Sequence, residues 1–114
     1  MKIIIVDDSP DTAAFYKMAL SGHEVKVCAD ACEFLKALED FDPDLCLIDV
    51  NMSWMNGVDA IRKSENKNMR IALISADDID KTKRSEQKLK AEGFNMVGSF
   101  EKPVLFTSIR ALAK

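Results

Sequence analysis

The sequence predicts an α/β fold, a (βα)5 sandwich in which a five-stranded parallel sheet carries helices on both faces. Three observations lead there. Five short runs rich in Ile, Val and Leu recur along the 114 residues, each with the composition of a buried strand. A stretch of helical composition follows each of them, so the strands are joined by crossovers rather than by hairpin turns. No internal repeat, low-complexity tract or linker breaks the alternation, and the length suits one domain over residues 1–114.

Lys2–Val6 is an unbroken Ile/Val run and makes the first strand. Residues 9–20 follow as a helix, with Pro10 and Asp11 suited to a first turn and Phe15, Met18 and Ala19 gathered toward one face; Ser21-Gly22 stops it. Glu24–Cys28 alternates Val25 and Val27 as the second strand. Asp30 opens the next helix with Glu33 three residues on, a capping-box spacing, and Phe34, Leu35 and Leu38 form its apolar stripe. Pro43 breaks it. Residues 45–48 are the most apolar run and are expected at the centre of the sheet.

Residues 57–63 read as a short helix carrying Val58 and Ile61, and 71–74 as the fourth strand. Residues 79–92 are helical in composition but offer mainly Ile79 and Leu89 to a core. A helix with so poor an apolar face gains little from burial, which suits a mobile or partner-contacting element. Residues 96–100 are the fifth strand. After Pro103, a last helix turns Leu105, Phe106, Ile109 and Leu112 inward.

Hydrophobic residues make up 47%, enough for a core, and a net charge of -3 indicates neither a nucleic-acid footprint nor a polybasic membrane patch. Lys81, Lys83, Arg84, Lys88 and Lys90 cluster in one segment, either as a solvated helix face or as a docking surface for an acidic partner. No stretch approaches the roughly 18 apolar residues of a membrane span, and the N-terminal IIIV run is too short for a signal-peptide core. Three cysteines and a lone histidine, His23, suit neither a zinc site nor a disulfide framework. A reducing cytoplasm fits that usage.

Asp7, Asp8, Asp49, Ser75 and Lys102 each fall at the C-terminal end of a strand-like run. In an open parallel sheet those ends share one edge, where ligands bind. Taken singly, each has an ordinary reading: turn-forming acids, an N-cap aspartate, a cap serine, an exposed loop lysine. Together, three carboxylates, a hydroxyl and an ammonium converge on one pocket. Acids so gathered repel unless a hard cation sits among them, and Mg2+ is the usual partner of oxygen ligands and phosphate. A carboxylate can attack phosphorus and hold an acyl phosphate, so the set points to phosphoryl transfer onto Asp49.

On these residues the chain resembles a response-regulator receiver domain of bacterial two-component signalling, along essentially its whole length. Asp7-Asp8 matches the family's acidic pair, and Asp49-Val-Asn-Met-Ser-Trp-Met-Asn-Gly57 matches its phospho-acceptor segment; Ser75-Ala76 and Lys102-Pro103 match its later motifs. The resemblance implies a flavodoxin-like sheet in the order 2-1-3-4-5. It implies that Asp49 is phosphorylated by a histidine kinase or histidine phosphotransfer protein. Asp8, Asp49 and the main-chain carbonyl of Asn51 would hold Mg2+ directly, and Asp7 through a water. Ser75 and Lys102 would grip the phosphoryl group and report it by moving. The protein would catalyse its own phosphorylation and dephosphorylation, largely by positioning and electrostatics, and switch binding to a downstream protein target as a stand-alone regulator.

Three departures from the family stand out. Ser53 replaces the usual proline, Ser99 takes the place of the switch aromatic, and the stretch from Ser75 to Lys102 runs longer than usual. Phe100 is adjacent, but strand alternation points it to the opposite face. Asn51 and Asp77 occupy positions that in the family flank the entry of the hydrolytic water. Two competing readings are an unphosphorylated docking module and an aspartyl-nucleophile phosphatase. The latter normally has a second acid two residues after the nucleophile, where this chain has Asn51.

Overall fold

The computed structural model describes residues 1–52 and 55–114; the Ser53 departure lies outside them. Five parallel strands, β1 (Lys2–Val6), β2 (Glu24–Cys28), β3 (Leu45–Asp49), β4 (Arg70–Ser75) and β5 (Asn95–Glu101), stand in the order β2-β1-β3-β4-β5. Helices α1 (Pro10–Ala19), α2 (Ala31–Ala37), α3 (Gly57–Ser64), α4 (Ile79–Ala91) and α5 (Phe106–Leu112) connect and follow them. The fold is the expected (βα)5 sandwich, with β3 at its centre. Among the described residues, no helix is long and apolar enough to cross a membrane.

Alternation along each strand divides the core into two layers. On β1, Ile4 and Val6 join Phe34, Ile48, Ile61, Leu73 and Leu89 beneath α2, α3 and α4. Ile3 and Ile5 face the other way, packing with Tyr16, Leu20, Leu47, Ile74 and Ile109 beneath α1 and α5. Because both faces are covered, β3 is buried at every position. Burying Phe34 alone contributes roughly 2–3 kcal/mol. The edge strand β2 leaves Val27 40% exposed.

Helix starts follow the sequence closely. Ser9 caps α1 by accepting from the Thr12 N–H at 3.4 Å, with Pro10 in the first turn. Asp30 accepts from the Glu33 N–H at 2.8 Å. Glu33 reaches back to the Ala29 N–H at 3.2 Å, one residue before the cap. Asn56 and Asp78 cap α3 and α4 in the same manner.

Two helix faces differ from expectation. Helix α1 buries Ala13, Tyr16 and Ala19, while Phe15 and Met18 lie 40% and 67% exposed. Ala13, Tyr16 and Ala19 recur at helical spacing on the buried side, and Phe15 and Met18 fall outside that stripe. Leu105 and Phe106 are likewise exposed, and only Ile109 of α5 is fully buried. Leu105 sits at the N-cap, before the helix has a core-facing side. Strand β5 also carries a bulge: Ile71 pairs with Met96 but Ala72 pairs with Gly98, leaving Val97 extra. All three cysteines are free, and burial pushes the Cys28 thiol up to about 11.

Candidate functional site

The parallel ladder places the acids. The Asp7 N–H donates to the Cys28 carbonyl at 3.0 Å, and the Val50 N–H to the Ile74 carbonyl at 3.0 Å. The strand ends carrying Asp7 and Asp49 are thereby fixed to their neighbours. Asp7 and Asp49 are buried and Asp8 is exposed. One oxygen from each of the three lies within 4.8 Å of the others, a set of hard donors at the spacing a divalent cation would bridge.

Each buried acid spends one oxygen on the backbone just beyond it. Asp7 Oδ1 accepts from the Ser9 N–H at 2.9 Å, and Asp49 Oδ1 from the Asn51 N–H at 2.8 Å. Their other oxygens share a cation: Lys102 Nζ donates to Asp7 Oδ2 at 2.9 Å and to Asp49 Oδ2 at 3.2 Å. Burial lowers the proton affinity of that ammonium, but the hydrogen bonds and charges of Asp7 and Asp49 outweigh it, so its pKa lies above the ordinary lysine value. The Lys102 N–H donates to the Ser75 carbonyl at 2.8 Å, which ties β5 to β4 at this point, and the Lys102-Pro103 peptide is cis.

A second set of contacts surrounds Ser75. Its hydroxyl donates to Asn51 Oδ1 at 3.2 Å and accepts from the Asp77 N–H at 3.2 Å. Asn51 Oδ1 also accepts from the Ala76 N–H at 3.1 Å. Beside it lies a small cavity of about 100 Å3 walled by Asn51, Ser75, Asp77 and Lys81, among others. Below, Gly57 lets α3 approach β3: a Cβ there would lie 2.7 Å from both the Asp49 carbonyl oxygen and Ile48 Cγ2.

The structure thus brings together Asp7, Asp8, Asp49 and Lys102, and sets Ser75 beside them with Asn51. Asn51 enters the sequence reading for its main-chain carbonyl, yet its side chain is what engages Ser75. Tyr16 is absent from that reading altogether. It is buried, its hydroxyl has no hydrogen-bond partner among the described residues, and burial pushes its pKa up to about 12. A tyrosine within the buried stripe of α1 is the signal that could have found it.

Ser99 faces α4, donating to Glu86 Oε1 at 2.7 Å. Phe100 packs in the opposite layer, as alternation expects. The basic cluster Lys81, Lys83, Arg84, Lys88 and Lys90 is exposed along α4, with Lys90 3.8 Å from Glu86.

The family "Response regulator receiver domain" matches residues 3–114. A protein-glutamate methylesterase/protein-glutamine glutaminase of Rhodospirillum rubrum is 35% identical over 79 residues, covering 66% of this chain and 21% of its own length. The DNA-binding response regulator MtrA of Mycolicibacterium smegmatis is 35% identical over 63 residues, 54% of this chain and 28% of its own. The chain therefore spans under a third of the length of these two relatives. A CheY-like receiver domain of Methanospirillum hungatei superposes with a TM-score of 0.85 at 21% identity, covering 98% of this chain and 89% of that one.

Proposed function

The chain belongs to the response-regulator receiver family of two-component signalling, and from that premise we propose that it accepts a phosphoryl group on Asp49 from a phosphohistidine, with Mg2+, and switches partner binding. The observation that carries this reading is the Lys102 ammonium bridging Asp7 and Asp49. A cation is already built in where negative charge must be offset, beside a carboxylate held by its neighbour's N–H.

The Asp49 carboxylate would attack phosphorus. A P–O bond forms, the P–N bond of the phosphohistidine breaks, and the electron pair returns to the imidazole nitrogen, which takes up a proton. Asp8, Asp49 and the Asn51 main-chain carbonyl would hold Mg2+, with Asp7 acting through a water. When bound, the ion supplies positive charge against the nucleophile and the phosphoryl oxygens together. Lys102 would then release the carboxylates and pair with a phosphoryl oxygen as a point charge. Ser75 would transfer its hydroxyl hydrogen bond from Asn51 Oδ1 to a phosphoryl oxygen.

A histidine kinase or histidine phosphotransfer protein is the donor on this reading, and a downstream protein is the target. Nucleic acid and membrane play no direct part for these residues. The domain occupies residues 1–114 and acts in the cytoplasm.

Intact-protein mass after incubation with acetyl phosphate tests the proposal. A single phosphoryl adduct that needs Mg2+ and is missing in Asp49→Ala is the expected result. No adduct, with a phosphorylated histidine kinase failing as well, would leave only protein docking.

A further inference from the structure

Tyr16 holds a buried polar atom to which the mechanism above gives no task. Its ring belongs to the apolar layer beneath α1 and α5, yet its hydroxyl has no hydrogen-bond partner among the described residues. Buried polar groups are nearly always paired, and an orphan in a folded protein calls for an explanation. Phenylalanine would fill the same space without that cost.

Position supplies the explanation. Tyr16 and Lys102 wall one groove of about 480 Å3, together with Thr12, Phe15 and Val104. Beyond burial, the charges that act on the phenol are those of Lys102, Asp7 and Asp49, and Lys102 lines the same groove. Lys102 meanwhile bonds the Oδ2 atoms of Asp7 and Asp49, whose Oδ1 atoms are taken by backbone N–H groups. A divalent ion held by Asp49 and, through a water, by Asp7 would compete with Lys102 for these two carboxylates. The ammonium must then leave them, and a partly buried ammonium, 19% exposed at its side chain, is costly to leave without an acceptor.

We propose that Tyr16 is a positioning residue for Lys102: its hydroxyl oxygen accepts a hydrogen bond from the ammonium once a metal ion displaces Lys102 from the two carboxylates. The inference rests on the cation-binding part of the proposed function. In the metal-free state the phenol waits unpaired. In the metal-bound state it becomes the resting place that keeps Lys102 within reach of an incoming phosphoryl group.

The test is a double-mutant cycle on Mg2+ affinity, measured by calorimetry on the full chain as parent, Tyr16→Phe, Lys102→Ala and the double variant. Loss of one hydrogen bond to a charged group predicts that Tyr16→Phe weakens Mg2+ binding on the order of tenfold to a hundredfold. The same change in the Lys102→Ala background should have no effect. Thermal unfolding without Mg2+ should show Tyr16→Phe at least as stable as the parent, since an unpaired hydroxyl is removed. An unchanged affinity, an equal loss in both backgrounds, or a parent that binds no Mg2+ would overturn the proposal. Phosphorylation of the parent, read separately by mass, scores the Asp49 reading. A missing adduct beside an intact cycle would sink that reading and leave the role of Tyr16 standing.

Discussion

On the acid side of the pocket, Lys102 draws Asp7 and Asp49 together by charge, at 2.9 and 3.2 Å. On the hydroxyl side, Asn51 Oδ1 gathers the Ser75 O–H and the Ala76 N–H by neutral hydrogen bonds. Both sides present groups that a phosphorylated state would use, already paired to an internal stand-in. The stand-ins differ in what can displace them. A lysine between two carboxylates answers to competing cations and to pH, while an amide oxygen answers only to a better acceptor. On the proposed function, metal filling and phosphoryl arrival are therefore separable events, each releasing one half.

The largest expected effect comes from emptying the acid side. Lys102→Ala leaves two buried carboxylates facing each other without a cation, which should cost roughly 3 kcal/mol in chemical denaturation. Added Mg2+ should restore more stability to this variant than it adds to the parent. Equal Mg2+ gains would mean that the lysine and the ion do not share a place. The pH dependence has a definite sign. The Lys102 pKa is raised in the folded state, so its contribution is complete below the unfolded lysine value of about 10.4 and fades as pH climbs through the higher folded value. From neutral pH the parent-minus-variant difference should stay flat up to that point and shrink above it.

Gly57→Ala strikes beneath the acid side without touching a charge. The new Cβ would lie 2.7 Å from the Asp49 carbonyl oxygen and Ile48 Cγ2, so α3 or β3 must shift, at about 1–3 kcal/mol. Mg2+ should offset less of this loss than it does in Lys102→Ala. The smallest effect belongs to the hydroxyl side. Asn51→Ala removes an acceptor from Ser75 and Ala76, but Asn51 is exposed and water can replace it, so about 1 kcal/mol or less is expected. That loss should not depend on Mg2+; if it does, the two halves are coupled and the comparison fails.

Much of this was legible in the chain. Runs such as KIIIV and LCLID announce strands buried on both faces, and acids placed just after them announce a shared edge. Exposed apolar side chains misled on α1. Phe15 and Met18 look like the core face of α1, yet Ala13, Tyr16 and Ala19 occupy it. The β5 bulge was hidden too, although Gly98 within a strand is the kind of residue that marks one. Its φ of +154° suits glycine, and the extra residue sets which face Ser99 and Phe100 take. The reach of Lys102 to Asp7, 95 positions earlier, follows only once the strand order is known. The grip of Asn51 on Ser75 depends on a side-chain direction that no spacing specifies.

The central claim is that Asp49 carries the phosphoryl group, and locating the modification tests it most directly. The protein would be treated with acetyl phosphate and Mg2+, reduced with borohydride, which converts an aspartyl phosphate to homoserine, and sequenced by tandem mass spectrometry. The account predicts homoserine at position 49 and at no other. An adduct at Asp7 or Asp8, or no reducible adduct at all, would contradict it.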